Sequence, residues 1–111
     1  MVRPRRSYDL ELHPLADKEF YELSRKERAL MAARFWRLAV DTDWRSLCGS
    51  PWRRIVPTSL PTSSGWCHAL LVERRDGRGL GVLSVLTGRA RDLPEGAFAQ
   101  ALRRLGDAPR W

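Results

Sequence analysis

The chain predicts a single α+β domain in the order β-α-α-β-β-β-α, a small antiparallel sheet packed on an N-terminal helical hairpin, with a helix at the C-terminal end. Three observations predict it. The apolar period is two before Pro14, 3.6 after it, and two again from about Trp52. Strands and helices come in runs rather than in strict alternation, which favours an antiparallel sheet. Asp76-Gly77 lies between two β-rich stretches, the strongest short signal for a two-residue hairpin. A length of 111 residues fits one domain with one core.

Residues 1–7 hold Arg3, Arg5, Arg6 and Pro4 without apolar periodicity and read as a flexible basic arm. Tyr8, Leu10 and Leu12 alternate with polar residues as in a half-buried strand. Pro14 ends the strand and suits the first turn of a helix whose apolar face is Ala16, Phe20 and Leu23. Ser24-Arg25-Lys26-Glu27 is a capping box and opens a second helix, with Met31, Phe35 and Leu38 as core positions and Ala32 and Ala39 beside them. Asp41–Pro51 reads as a polar turn region and Trp52–Val56 as a strand. Pro57–Gly65 reads as a Pro/Ser/Thr loop too polar for a core element. Trp66–Arg74 and Leu80–Thr87 form the hairpin around Asp76-Gly77. Pro94 opens the last helix, packed through Phe98, Ala101, Leu102 and Leu105, with Gly106 as its C′ residue. The domain then spans residues 8–106, and 107–111 form a tail.

The net charge of +7 is unevenly placed. Residues 1–43 carry 9 basic and 8 acidic groups, whereas 44–111 carry 11 and 5. A positive field over the predicted strands suits a polyanionic partner. No apolar run approaches the ~18 residues of a membrane span, so a cytoplasmic location and no membrane partner are expected. Cys48 and Cys67 fit neither a metal nor a redox spacing and read as buried free thiols. His13 and His68 are too far apart to suggest a metal site, so no metal and no cofactor are expected.

The chemistry points to the end of the last strand. Leu83-Ser84-Val85-Leu86-Thr87-Gly88 leads into Arg89-Ala90-Arg91, two guanidiniums at a sheet end that match phosphate oxygens bidentately. Arg53 and Arg54 alternate faces, so at most one of them joins this site. Trp52 and Trp66 are candidates to stack on unpaired bases, although core packing is the commoner fate of Trp. Arg74, Arg75 and Arg78 at the hairpin tip are explained by solvation. If Asp76-Gly77 is the turn, His68 lies opposite Val85 and Trp66 opposite Thr87. Period-two parity then brings His68, Thr87 and Arg89 to one surface. A one-residue slip of register breaks that grouping. His68 alone in this half has an ordinary pKa near neutrality, and a strand histidine bonded to backbone is the competing reading.

Three stretches resemble the RelE/ParE superfamily of bacterial toxins, with the HigB-like branch nearest. Leu12-His13-Pro14-Leu15-Ala16 through Leu23 is similar to its opening strand and Pro-x-Ala helix. Leu47-Cys48-Gly49-Ser50 into Trp52-Arg53-Arg54-Ile55 is similar to its Leu-x-Gly turn. Leu83 to Arg91 followed by Pro94 is similar to its strand ending in two basic residues before a helix. The resemblance spans residues 8 to 105. It implies the toxin of a toxin–antitoxin system, a metal-independent endoribonuclease that cuts mRNA at the ribosome and is neutralised by a cognate antitoxin. The alternative it implies is a non-catalytic, ParE-like or nucleic-acid-binding module that inhibits a protein target. Arg89 and Arg91 match the family's two basic positions. Where many of its nucleases carry Arg at the start of the penultimate strand, this chain has Trp66-Cys67-His68. Asp92-Leu93 follows where a Tyr is often found. In metal-free RNA cleavage the 2′-oxygen attacks phosphorus, a base and an acid move protons, and cations stabilise the added charge. His68 and Arg89 are the expected catalytic pair, with Arg54, Arg91 and Trp66 on the RNA.

Overall fold

A computed structural model describes residues 9–40, 55–75 and 79–111. The N-terminal arm, the Asp41–Pro51 region with Cys48, the segment Trp52–Arg54 and the Asp76-Gly77 turn with Arg78 lie outside the described residues. The order is the one predicted: β1 (Asp9–Leu12), α1 (Pro14–Glu22), α2 (Arg25–Val40), β2 (Ile55–Thr62), β3 (Gly65–Glu73), β4 (Gly79–Gly88) and α3 (Ala97–Gly106).

The helical hairpin starts as its sequence dictates. Pro14 stands in the first turn of α1, and the His13 ring caps it, Nδ1 accepting from the Leu15 N–H at 3.1 Å. The capping box forms: Ser24 Oγ accepts from the Glu27 N–H at 3.2 Å, and Glu27 Oε1 accepts from the Ser24 N–H at 3.1 Å. Ala16, Leu23, Met31, Phe35 and Ala39 are buried with Phe20 and Leu38 packed beside them, whereas Ala32 is exposed.

The sheet order is β1-β4-β3-β2. β2, β3 and β4 are antiparallel, but β1 pairs parallel with β4, so the sheet is mixed rather than purely antiparallel. Alternation of apolar residues carries no strand direction. Both faces are covered. Val56, Cys67, Ala69, Leu71, Leu80, Val82 and Val85 pack against α1 and α2. Ile55, Leu70, Val72 and Leu83 pack against Ala97 and Ala101 of α3 and against Trp111. A sheet buried on two sides explains why β3 and β4 read as nearly continuous apolar runs.

Two expectations about the strands are corrected. Pro57–Gly65 is not a loop: β2 continues to Thr62 and turns through Ser63-Ser64 into β3. β2 is an edge strand, and Pro57 and Pro61 are exposed on it, where proline blocks pairing with another chain. The β3–β4 register also changes along its length. Leu71 faces Val82, as the hairpin predicts, but an irregularity between Leu70 and Leu71 sets His68 opposite Leu86 and Trp66 opposite Gly88.

The C-terminal part differs in detail. Pro94 forms a turn with Ala97, where α3 begins, rather than opening the helix, and Gly106 is the last residue of α3 rather than its C′. Leu102 is 59% exposed, and Arg104 takes a buried place on this helix. Its guanidinium meets Glu19 of α1 in two bonds, Nη1 to Oε1 at 2.7 Å and Nη2 to Oε2 at 2.9 Å. The pair closes over the edge of β4 beyond its pairing with β1. Arg104 Nη1 donates to the Leu83 carbonyl at 2.9 Å, and Glu19 Oε1 accepts from the Val85 N–H at 3.0 Å. Residues 107–111 turn back onto the sheet. Trp111 lies over Gly81, where a side chain would collide with the indole, and its Nε1–H donates to Glu11 Oε2 at 2.8 Å. Arg74 is not a solvated hairpin-tip charge: it is half-buried and pairs with the same Glu11 carboxylate at 3.3 Å. No helix among the described residues is long and apolar enough to cross a membrane.

Candidate nucleic-acid interface

β4 ends at Gly88, and the chain bends through Arg89, Ala90, Arg91 and Asp92, all exposed. Two elements crowd this bend from below. Gly65, at the β2–β3 turn, has φ +144° and sits so close that a Cβ there would lie 2.5 Å from the Gly88 carbonyl oxygen. Only glycine meets both conditions without strain. His68 lies beneath, with its Nε2 3.2 Å from the Ala90 carbonyl oxygen.

The structure brings three of the expected site residues together. Trp66, the second residue of β3, is paired directly with Gly88. The Arg91 guanidinium carbon lies 5.9 Å from the centroid of the Trp66 ring, within cation–π range. Arg89 and Trp66 line one groove of about 680 Å³ between the sheet end and the helical hairpin. Arg89, Arg91 and Trp66 therefore offer two cations and an aromatic ring on one exposed rim. Arg54 lies outside the described residues.

His68 does not join them. Unbroken alternation along β3 puts it on the α3 side, with Leu70, whereas Cys67 faces the helical hairpin, and the extra residue Leu83 in β4 turns Thr87 and Arg89 to the hairpin side. It is fully buried, and Nδ1 lies 2.7 Å from Ser59 Oγ. Both ring nitrogens are thus bonded within the protein. The grouping of His68 with Thr87 and Arg89 fails because the β-irregularity lies between the hairpin turn, which set the expected register, and the strand end.

The sequence reading missed the carboxylates of the groove. Glu19, Glu22 and Glu27 line it with Arg89. Glu19 is bound to Arg104. Glu27 is held by the Ser24 amide and hydroxyl, which lower its pKa most. It also accepts from Cys67 Sγ at 3.7 Å and Ser64 Oγ at 3.4 Å. Burial, with the Glu27 charge second, pushes the Cys67 thiol up to about 11, so this free cysteine is protonated and unreactive at neutral pH. Glu22 is exposed at the end of α1. The capping box was legible in sequence, but its facing the strand end was not. Among the described residues no cluster of three or more His, Cys, Asp or Glu could hold a metal ion.

No protein-family model and no curated protein matches the chain. Solved structures do. A free-state mutant of the E. coli toxin RelE, with two arginines two positions apart replaced by alanine, superposes with a TM-score of 0.71 at 15% identity. The match covers 89% of this chain and 98% of that one. The isolated E. coli RelE toxin gives 0.63 at 17% identity over 89% and 99%. The intact E. coli RelBE toxin–antitoxin complex gives 0.55 at 16% identity over 76% and 100%. At such identities the likeness is one of architecture, and in architecture this chain has the fold of the RelE toxin.

Proposed function

We propose that the protein is the toxin of a bacterial toxin–antitoxin system, a metal-independent endoribonuclease that cuts mRNA at the ribosome and is restrained by a cognate antitoxin. One observation carries the reading. Arg89 and Arg91 stand exposed at a strand end, two positions apart, with Arg91 over Trp66. The fold is shared with a toxin in which two arginines at that same spacing were replaced, and which is known in complex with an antitoxin. Two basic residues between the last strand and a proline-led segment also fit the HigB-like pattern.

In this reading Arg89 stabilises the charge that develops on phosphorus, Arg91 and Arg54 hold flanking phosphates, and Trp66 stacks on a base. The carboxylates keep phosphate at the rim rather than inside the groove. The interior suits base edges that donate hydrogen bonds. His68, assigned proton transfer from sequence, reaches no substrate in its buried position, and the exposed Glu22 of the same groove takes the 2′-hydroxyl proton instead. The acidic groove also supports the second reading, a ParE-like binder whose protein target carries basic side chains.

Induced expression should arrest growth, and Arg89→Ala or Arg91→Ala should relieve the arrest with the fold intact, since an exposed arginine contributes under ~0.5 kcal/mol to stability. Binding to single-stranded RNA should weaken with salt, with a log–log slope near roughly −2 for about three neutralised phosphates. Arrest that persists in both variants, with RNA affinity indifferent to salt, would reject the ribonuclease and leave the binder.

A further inference from the structure

We propose that His68 is a positioning residue that, together with Ser59, fixes the backbone of the arginine bend and so sets the direction of Arg89 and Arg91. The inference rests on the reading of that bend as the RNA contact, and deepens it.

The ladder between β3 and β4 ends at the pair Trp66 and Gly88. Beyond it the exposed bend has lost the sheet's hydrogen bonds, yet an anion site needs its two guanidiniums held in one geometry. The Ala90 carbonyl, between the two arginines, turns inward and meets His68 Nε2 at 3.2 Å. A carbonyl only accepts, so Nε2 carries the proton. In the neutral ring Nδ1 is then the acceptor, and the Ser59 hydroxyl donates to it at 2.7 Å. Ser59 and His68 are directly paired across β2 and β3, so the hydroxyl is delivered by the register itself. The result is a relay from the edge strand to the bend, Ser59 to His68 to Ala90, made by a ring with no exposed surface. Gly88 passes over the imidazole at ordinary contact distance, its Cβ position 3.8 Å from Nε2. Fixing the Ala90 carbonyl fixes the peptide plane leading into Arg91. A histidine with both nitrogens engaged inside a sheet has a fixed tautomer and ring orientation, which suits it to hold a backbone group.

The test uses three variants of the full chain. In His68→Gln the side-chain amide can supply an N–H close to the Nε2 position. His68→Leu keeps much of the volume and supplies none, and Ser59→Ala frees Nδ1. Backbone ¹⁵N relaxation should show residues 89–91 loosened in His68→Leu, less so in Ser59→Ala, and close to wild type in His68→Gln. Affinity for a short single-stranded RNA should fall on the order of tenfold in His68→Leu, the lower end of the roughly 10–100-fold lost when an outer partner that orients a ligating group is removed. It should recover in His68→Gln. Bend mobility unchanged in His68→Leu would overturn the proposal. So would a His68→Gln protein with wild-type RNA affinity and bend order but no RNA cleavage beside a cleaving wild type, the signature of a proton-transfer group. If His68→Leu does not fold, equal bend mobility in wild type, His68→Gln and Ser59→Ala would overturn it as well. Loss of ordering in His68→Leu, with RNA binding indifferent to Arg89→Ala and Arg91→Ala, would retain the anchor and reject the RNA reading.

Discussion

Replacing Arg104 by methionine should cost about 3 kcal/mol. The guanidinium is 8% exposed and binds Glu19 through two nitrogens, while also donating to the Leu83 carbonyl and, at 3.3 Å, to Ser84 Oγ. Methionine fills much of the volume but leaves the Glu19 carboxylate with the Val85 amide as its remaining donor among these bonds, and strips Leu83 of its side-chain donor. Breaking a buried pair from one side costs ~3–5 kcal/mol. Glu19 is 23% exposed, so water recovers part of its solvation and the lower end applies. At ~4 °C per kcal/mol for a domain of this size, Tm should fall by about 12 °C. A double-mutant cycle with Glu19→Gln isolates the pair. Glutamine keeps an acceptor for the Val85 amide but removes the charge. In the wild type it should therefore destabilise, whereas in the Arg104→Met protein it should be neutral or stabilising, because it neutralises a charge that has lost its partner. Thermal melts of the four proteins at neutral pH read this directly. An Arg104→Met cost below about 1 kcal/mol, or an equal effect of Glu19→Gln in both backgrounds, would refute the view that this clasp binds α1 and α3 across the β4 edge.

Acid should weaken the start of α1. Desolvation above all, then the Arg104 charge, lowers the His13 pKa below its ordinary 6.5. The unfolded chain therefore takes up that proton first, and the His13 contribution to stability is present above ~6.5 and lost as pH falls toward the folded pKa. His13→Asn, which keeps a capping acceptor without a titrating ring, should flatten this part of a Tm–pH profile, and an unchanged profile would count against the assignment. Gly65→Ala should destabilise by about 1–3 kcal/mol, since it strains a positive φ and drives a methyl against the Gly88 carbonyl. It should also perturb the Arg89 amide in an NMR spectrum, and a spectrum altered only at residues 63–67 would separate the turn from the bend.

Elements with a local chemical signature were legible in the sequence. Pro14 and the Ser24–Glu27 box placed both N-terminal helices, and the arginines at the end of β4 marked the exposed rim. What depended on a partner strand was not legible. The prolines of β2 disqualified it as a central strand, but not as an edge strand, and edge position is a tertiary fact. The irregularity opposite Leu70–Leu71 inserts one residue, Leu83, into β4 without a turn residue or glycine to announce it, so parity carried from the hairpin put Thr87 and Arg89 on the wrong face, that of His68. Cys67 and Glu27, 40 residues apart, meet through helix packing, and no local pattern reports such a contact.

The proposed metal-free cutting of RNA at the rim of Arg89, Arg91 and Trp66 has a chemical signature. Attack by the 2′-oxygen leaves a 2′,3′-cyclic phosphate on the upstream fragment and a 5′-hydroxyl on the downstream one. Total RNA from cells expressing the wild type, Arg89→Ala and Arg91→Ala should be mapped for both kinds of end. New cyclic phosphate ends should appear within mRNA in the wild type and be lost or sharply reduced in each variant at equal protein level. Growth arrest with mRNA uncut, or cuts of equal yield in all three proteins, would contradict it.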